Sequence, residues 1–150
     1  MRKNMTLAAM AVLIAMTGAA SAAEVEIKLL NKGAEGMMVF EPALVKIQAG
    51  DTVKFLATDK SHNAESIKGM LPAGAMPFVG KMSQDIEVVF DKPGVYGVKC
   101  MPHYGMGMVA MVVVGEPSNL DEAKAVTHSG KAKQTFSTLF DKLSQKTAGK

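Results

Sequence analysis

Across residues 24–115 apolar side chains recur mostly at every second position, and this period constrains the fold more than any other feature of the sequence. Successive side chains of an extended chain point to opposite faces, so a period of two separates a buried face from a wetted one. Val25, Ile27 and Leu29 fall on one face, with Glu26, Lys28 and Leu30 on the other. The stretches 44–48, 52–57, 86–90 and 95–99 are further β-rich runs. Turn signals divide them at Glu41-Pro42, Ala49-Gly50-Asp51 and Asp91-Lys92-Pro93-Gly94. The last run, 109–114, is almost wholly apolar, as expected of a strand covered on both faces. Six or seven short strands in about ninety residues predict an antiparallel sandwich or barrel.

The composition changes after Gly115-Glu116-Pro117. Ser118, with Asp121 three residues on, reads as a helix start, and Leu120, Ala123 and Val126 follow at helical spacing. After a break at Ser129-Gly130, Phe136, Leu139, Phe140 and Leu143 form a second amphipathic stripe. Two helices are therefore expected over about 118–147, packed on the strands, since neither is stable alone.

Residues 1–22 have the form of a secretory leader. Arg2 and Lys3 precede an apolar stretch over 5–20, and Ala20-Ser21-Ala22 offers small residues at the cleavage positions. A membrane anchor would need about 20 apolar residues, and this stretch is shorter and contains Thr17 and Gly18. Cleavage after Ala22 would leave 23–150 as a single domain outside the cytoplasm, periplasmic in a Gram-negative cell. Arg2 and Lys3 would leave with the leader, so 17 basic against 14 acidic residues becomes a nearly neutral mature chain. That balance, with no basic run, gives no signal for nucleic acid. The single cysteine cannot form an internal disulfide. A lone thiol in an oxidising compartment is liable to oxidation unless something occupies it, and a metal is one such occupant.

The residues that carry chemistry gather in Cys100-Met101-Pro102-His103-Tyr104-Gly105-Met106-Gly107-Met108. The spacing is C-x2-H-x4-M, on a tight loop between the runs 95–99 and 109–114, where three donors can aim at one point. A fourth donor must come from elsewhere, and His62 qualifies, in the turn-rich stretch Asp59-Lys60-Ser61-His62-Asn63. Taken singly, each residue has a plainer role: a buried small hydrophobe for Cys100, a solvated side chain for His103, core for Met108. Together, two imidazoles, a thiolate and a thioether form a soft, mixed set suited to copper in both oxidation states, with a trigonal His2Cys plane and a weak axial Met. Zinc also accepts His and Cys ligands. His128, between the two helices, reads as a surface residue. No paired carboxylates, phosphate-binding glycine loop or zinc-type cysteine cluster is present.

Three stretches, LNKGAEGMMVFEPA at 30–43, DKSHNAESIK at 59–68 and VKCMPHYGMGM at 98–108, resemble the pseudoazurins, which are bacterial cupredoxins. The resemblance covers essentially all of 23–150. It implies an eight-stranded Greek-key cupredoxin β-sandwich or barrel with two C-terminal α-helices. One type 1 copper ion would be held by His62, Cys100, His103 and Met108. It further implies that the backbone N–H of Asn63 bonds the thiolate, that Met38 and Pro102 lie close to the copper, and that the ring edge of His103 reaches solvent through an apolar patch. Relatives ring that patch with lysines, and Lys32, Lys60, Lys99 and Lys131 fall at matching positions. Over 75–81 relatives carry more lysine, so a thinner ring is expected here. The implied role is that of a monomeric electron carrier, not an enzyme, whose partners are copper nitrite reductase and c-type cytochromes. A periplasmic copper-trafficking protein is the alternative, motivated by Met101, Met106, Met108 and Met111. An enzyme with Cys100 as nucleophile and His103 or His62 as base lacks an orienting group.

Overall fold

The computed structural model describes residues 20–148, without the side chains of 146–148. The expected leader lies outside the described residues except for its last three, which are exposed and in no strand. Eight strands follow: β1 (Glu24–Gly33), β2 (Gly36–Glu41), β3 (Leu44–Ile47), β4 (Asp51–Leu56), β5 (Glu65–Ser66), β6 (Ile86–Phe90), β7 (Gly94–Lys99) and β8 (Val109–Val114). They form two four-stranded sheets, in the orders β2-β1-β4-β6 and β3-β8-β7-β5. The architecture is a sandwich, as the alternation predicts, but not a wholly antiparallel one. β1 pairs with β4, and β3 with β8, in parallel. In each pair the chain visits the other sheet before returning, so a strand can come back in the same direction.

Ile27, Leu29, Phe40, Val53, Phe55 and Phe90 of the first sheet meet Val45, Ile47, Tyr96, Val98, Ala110, Val112 and Val114 of the second in one core. The intervening residues of β8, Val109, Met111 and Val113, point the other way. They pack with Ala123 of α1 (Leu120–Ala125) and with Ala132, Phe136, Leu139 and Leu143 of α2 (Ala132–Ala148). β8 is therefore buried along its whole length, which explains its unbroken apolar run. The two helical stripes pack on the outer face of the second sheet, in agreement with the sequence expectation.

The β-rich runs omit β2 and β5, and Ser118 misplaces the start of α1. β2 shows no alternation and is not readable as a strand, because Met38 takes a left-handed φ of 53°. Its pairing with β1 runs from Lys28↔Glu41 to Leu30↔Val39, skips Asn31 and Met38, and resumes at Lys32↔Met37. Nor is Ser118 the helix cap. The N-cap residue of α1 is Asn119, and its side chain does not bond the helix. Ser118 instead donates to the carbonyl of Pro93 at 3.1 Å.

Buried Asn119 serves the sheet. Its Oδ1 accepts from the Val95 N–H at 2.6 Å, and its Nδ2 donates to the Val95 carbonyl at 2.9 Å. β5 pairs only with Lys99 and Val98 of β7, so Asn119 takes the place of a strand at the other end. Asn119→Ala is expected to leave both groups of Val95 unsatisfied and to cost about 2–3 kcal/mol in denaturant unfolding. Ser118→Ala, at an exposed site, should stay within about 0.5 kcal/mol.

Candidate metal centre

The hairpin of β7 and β8 carries the ligand loop at its turn. The register Lys99↔Val109 brings the loop ends together, and Cys100 N–H donates to the Met108 carbonyl at 3.0 Å. Inside the loop the carbonyl of His103 accepts from Met106 N–H at 3.0 Å and from Met108 N–H at 3.2 Å. A single 3₁₀ turn, Tyr104–Met106, spans the gap. Cys100 and Met108 are fully buried in the core between the sheets, and His103 is half-buried.

His62 arrives from the β4–β5 connection and is fully buried. Its Nδ1 lies 3.1 Å from His103 Nδ1 and 3.6 Å from Cys100 Sγ, and His103 Nδ1 lies 3.5 Å from the same sulfur. A point equidistant from three atoms at those separations stands about 2.0 Å from each, which is the length of a metal–imidazole bond and a little short of a metal–thiolate bond. The donor set and its spacing thus fit a single soft metal ion. Among the described residues, His62, Cys100 and His103 are the group able to hold a metal through three His, Cys or carboxylate ligands.

Neighbouring groups fix the chemical state of each donor. His62 Nε2 bonds Asn31 Oδ1 at 2.8 Å, which places the ring proton on Nε2 and leaves Nδ1 free to ligate. Burial, and then the neighbouring His103, hold His62 below the ordinary histidine range, so the neutral, ligating form prevails at neutral pH. Burial pushes the Cys100 thiol up, opposed by backbone N–H donors of Asn63 and His103. A thiolate in this place therefore depends on a cation beside it.

The backbone N–H of Asn63 faces the Cys100 sulfur. The Asn63 side chain adds a second link: its Oδ1 accepts from Met101 N–H at 2.8 Å, and its Nδ2 donates to Glu65 Oε2 at 3.1 Å and the Gly80 carbonyl at 3.2 Å. The two loops that carry the donors are tied to each other through one buried side chain.

Met38 is half-buried and packs against the core that contains Cys100 and Met108, while Pro102 is exposed on the loop. Lys32, Lys60 and Lys131 are exposed. Lys99 is only partly so: its Nζ lies 3.3 Å from Glu65 Oε1 and 5.3 Å from the Tyr104 ring centroid, and Glu65 largely offsets its charge. Over 75–81, where a thinner lysine ring is expected, Met76 and Val79 stand 82% and 72% exposed, and Lys81 is the one exposed lysine. His128 is not a simple surface residue. It is half-buried, bonded to Tyr104 and stacked on Phe136, and burial lowers its pKa.

Asn31 has no place in the C-x2-H-x4-M spacing. It shares the parity of Ile27 and Leu29 but is itself exposed, and its bond to His62 Nε2 shows only in the fold.

Residues 27–115 match the family model for copper binding proteins of the plastocyanin/azurin family. The chain is 52% identical over 137 residues to a pseudoazurin of Methylorubrum extorquens, covering 91% of this chain and 93% of that one. The chain belongs to the pseudoazurin family. A second pseudoazurin, from Paracoccus pantotrophus, is 48% identical and covers 85% of this chain and 88% of its own length. The crystal structure of pseudoazurin from Methylobacterium extorquens AM1 superposes with a TM-score of 0.78 at 53% identity, covering 80% of this chain and 98% of that one. Membership makes the chain a blue copper electron carrier with one copper ion, not an enzyme.

Asn31→Ala should remove the partner of His62 Nε2 while leaving the strand backbone in place. We expect a loss of about 10- to 100-fold in metal affinity, read by competition with a chelator, with a much smaller change in the unfolding midpoint.

Proposed function

We propose that the chain is a periplasmic carrier of single electrons whose copper would be held by His62, Cys100, His103 and Met108. The observation that carries this reading is the triangle of donor atoms, already spaced for one metal ion without rearrangement. Bound there, copper supplies a one-electron couple, and thiolate, imidazole and thioether are acceptable to both of its oxidation states. The protein holds the donors: Asn31 orients His62, Asn63 joins the two loops, and the β7–β8 hairpin fixes Cys100 and Met108.

The half-buried His103 imidazole offers a short exit beside exposed Met101 and Met106, which are 55% and 52% accessible. Lys32, Lys60 and Lys131 lend this face positive charge, with Lys99 moderated by Glu65. Such a face suits brief encounters with acidic redox proteins, and we assign copper nitrite reductase as acceptor and c-type cytochromes as donors, with the carrier a monomer. The trafficking alternative has less support. Of the four methionines that motivate it, Met108 and Met111 are fully buried, which leaves two exposed thioethers.

The reading extends to the leader. Among the described residues no helix is long and apolar enough to cross a membrane. Ala23 N lies 2.8 Å from Asp51 Oδ1, and cleavage after Ala22 would turn this amide into an α-ammonium paired with that carboxylate. The N–H groups of Ala23 and Gln48 hold Asp51 below the ordinary carboxylate range. A depressed folded-state pKa gives stability that is present above the unfolded value, about 3.9, and is lost as pH falls through the folded one. Mass spectrometry should find the exported chain starting at Ala23. Asp51→Asn should lower its stability at neutral pH, with the difference from the parent vanishing in acid.

The copper ligands are tested by spectroscopy. The Cu(II) protein is expected to show intense visible charge-transfer absorption that Cys100→Ala abolishes; weak absorption of the tetragonal kind would overturn the ligand set. Met108→Gln substitutes a harder oxygen donor that favours Cu(II), so the reduction potential should fall while copper is retained.

Docking is tested by salt and by charge reversal. Screening lengths of about 8–10 Å at physiological ionic strength mean that added salt should slow electron exchange with an acidic partner. Lys60→Glu should slow it as well, whereas Lys92→Glu, in the β6–β7 turn at the opposite end of β7, should have little effect. Equal effects would mean that bulk charge governs association.

A further inference from the structure

The segment that joins α1 to α2 lies against the outer side of the ligand loop, and its contacts fall on the residues between His103 and Met108. Lys131 N–H donates to the Gly105 carbonyl at 3.0 Å. Gly130, at φ 56°, passes so close that a Cβ there would overlap the Gly105 oxygen. Gly107, at φ 88°, packs in turn against α2: a Cβ on it would stand 2.7 Å from Thr135 Oγ1. Glycine at both positions lets two backbones approach at a distance that side chains would forbid.

His128 completes this contact. Its Nδ1 shares a 2.5 Å hydrogen bond with the Tyr104 hydroxyl. Its ring lies on Phe136, with centroids 4.3 Å apart and planes tilted by 30°, and meets Tyr104 edge-on at 6.1 Å and 74°. Phe136 is 1% exposed and belongs to the core beneath the helices, so the imidazole is braced from behind by a rigid surface. The remaining nitrogen, Nε2, is buried without a hydrogen-bond partner. An imidazole with one unpartnered nitrogen is a costly choice for simple packing, and the bond to Tyr104 is the polar contact that it makes in return.

We propose that His128 is a positioning residue for the ligand loop, acting through Tyr104 on the 3₁₀ turn that sets the spacing of His103 from Met108. The inference rests on the reading that these two residues ligate copper. Asn63 secures one side of the loop through Met101, and His128, Gly130 and Lys131 secure the other through Tyr104 and Gly105. The helices are then a brace for the metal loop as well as a cover for β8. Loss of the brace would loosen the turn and let the His103–Met108 spacing drift, without exposing the core.

The test uses Tyr104→Phe, which keeps the ring and removes only the hydroxyl, together with His128→Phe and the double variant. In metal-free protein, amide hydrogen exchange over 104–108 should speed up about two- to tenfold in each single variant, the equivalent of one neutral hydrogen bond. In copper-loaded protein both single variants should shift the visible band ratio and the reduction potential in the same sense. The double variant should add nothing beyond the larger single effect. Leu143→Ala, farther along α2, should lower the unfolding midpoint and leave exchange over 104–108 and the spectrum unchanged. Wild-type exchange and spectrum in Tyr104→Phe, or additive shifts in the double variant, would overturn the proposal, and Tyr104→Phe still decides it if His128→Phe does not fold. Absence of an intense band in the parent protein would refute the ligand assignment itself, and exchange in the metal-free protein would then judge the brace alone.

Discussion

The candidate metal centre depends on one hairpin, β7 and β8, that is packed on both faces. One face closes the sandwich and the other carries the helices, so the hairpin has no wetted side along which to flex. Its turn holds Cys100, His103 and Met108. A short loop rooted in a doubly buried hairpin inherits its rigidity, which is what a redox site needs if its ligands are to stay in place while the charge changes. The cost falls on polarity: a thiol and an imidazole sit where water cannot reach them. Both of these groups are answered locally, His62 Nε2 by Asn31 and the Cys100 sulfur by the N–H groups of Asn63 and His103.

The same logic accounts for the irregular spots nearby. Met38 adopts a conformation that L-residues seldom take, and the β1–β2 ladder lacks the rung that it would share with Asn31. Asn31 bonds His62 through its side chain, and Met38 packs against the core that contains Cys100 and Met108. Departure from regular strand geometry at a functional site is a familiar bargain between local strain and placement. On the surface, Met76 and Val79 add exposed apolar area, and the pairing of Lys99 with Glu65 leaves one lysine fewer with a free charge.

Much of this was legible in the sequence because it depends on local periodicity. The alternation gave most of the strands, the apolar run gave β8 its two covered faces, and the helical stripes gave α1 and α2 their packing side. The candidate donors were legible because Cys100, His103 and Met108 are neighbours in the chain. What escaped depends on contacts distant in sequence. No periodicity announces that β1 lies parallel to β4, or that Lys99 meets Glu65. Asn119 looks like an ordinary cap neighbour until Val95 is seen beside it, and His128 looks exposed until Phe136 and Tyr104 close around it. β2 is hidden because the left-handed Met38 interrupts its ladder with β1.

The central claim is that the protein chain alone sets the ligand geometry, before any metal binds. Crystal structures of the metal-free, Cu(II) and Cu(I) forms test it most directly, through the distances among His62 Nδ1, Cys100 Sγ and His103 Nδ1. The account predicts that the separations of 3.1, 3.6 and 3.5 Å persist to within about 0.5 Å in all three forms. Donor atoms that move apart by more than about 1 Å without metal, or that regroup when copper is reduced, would contradict it.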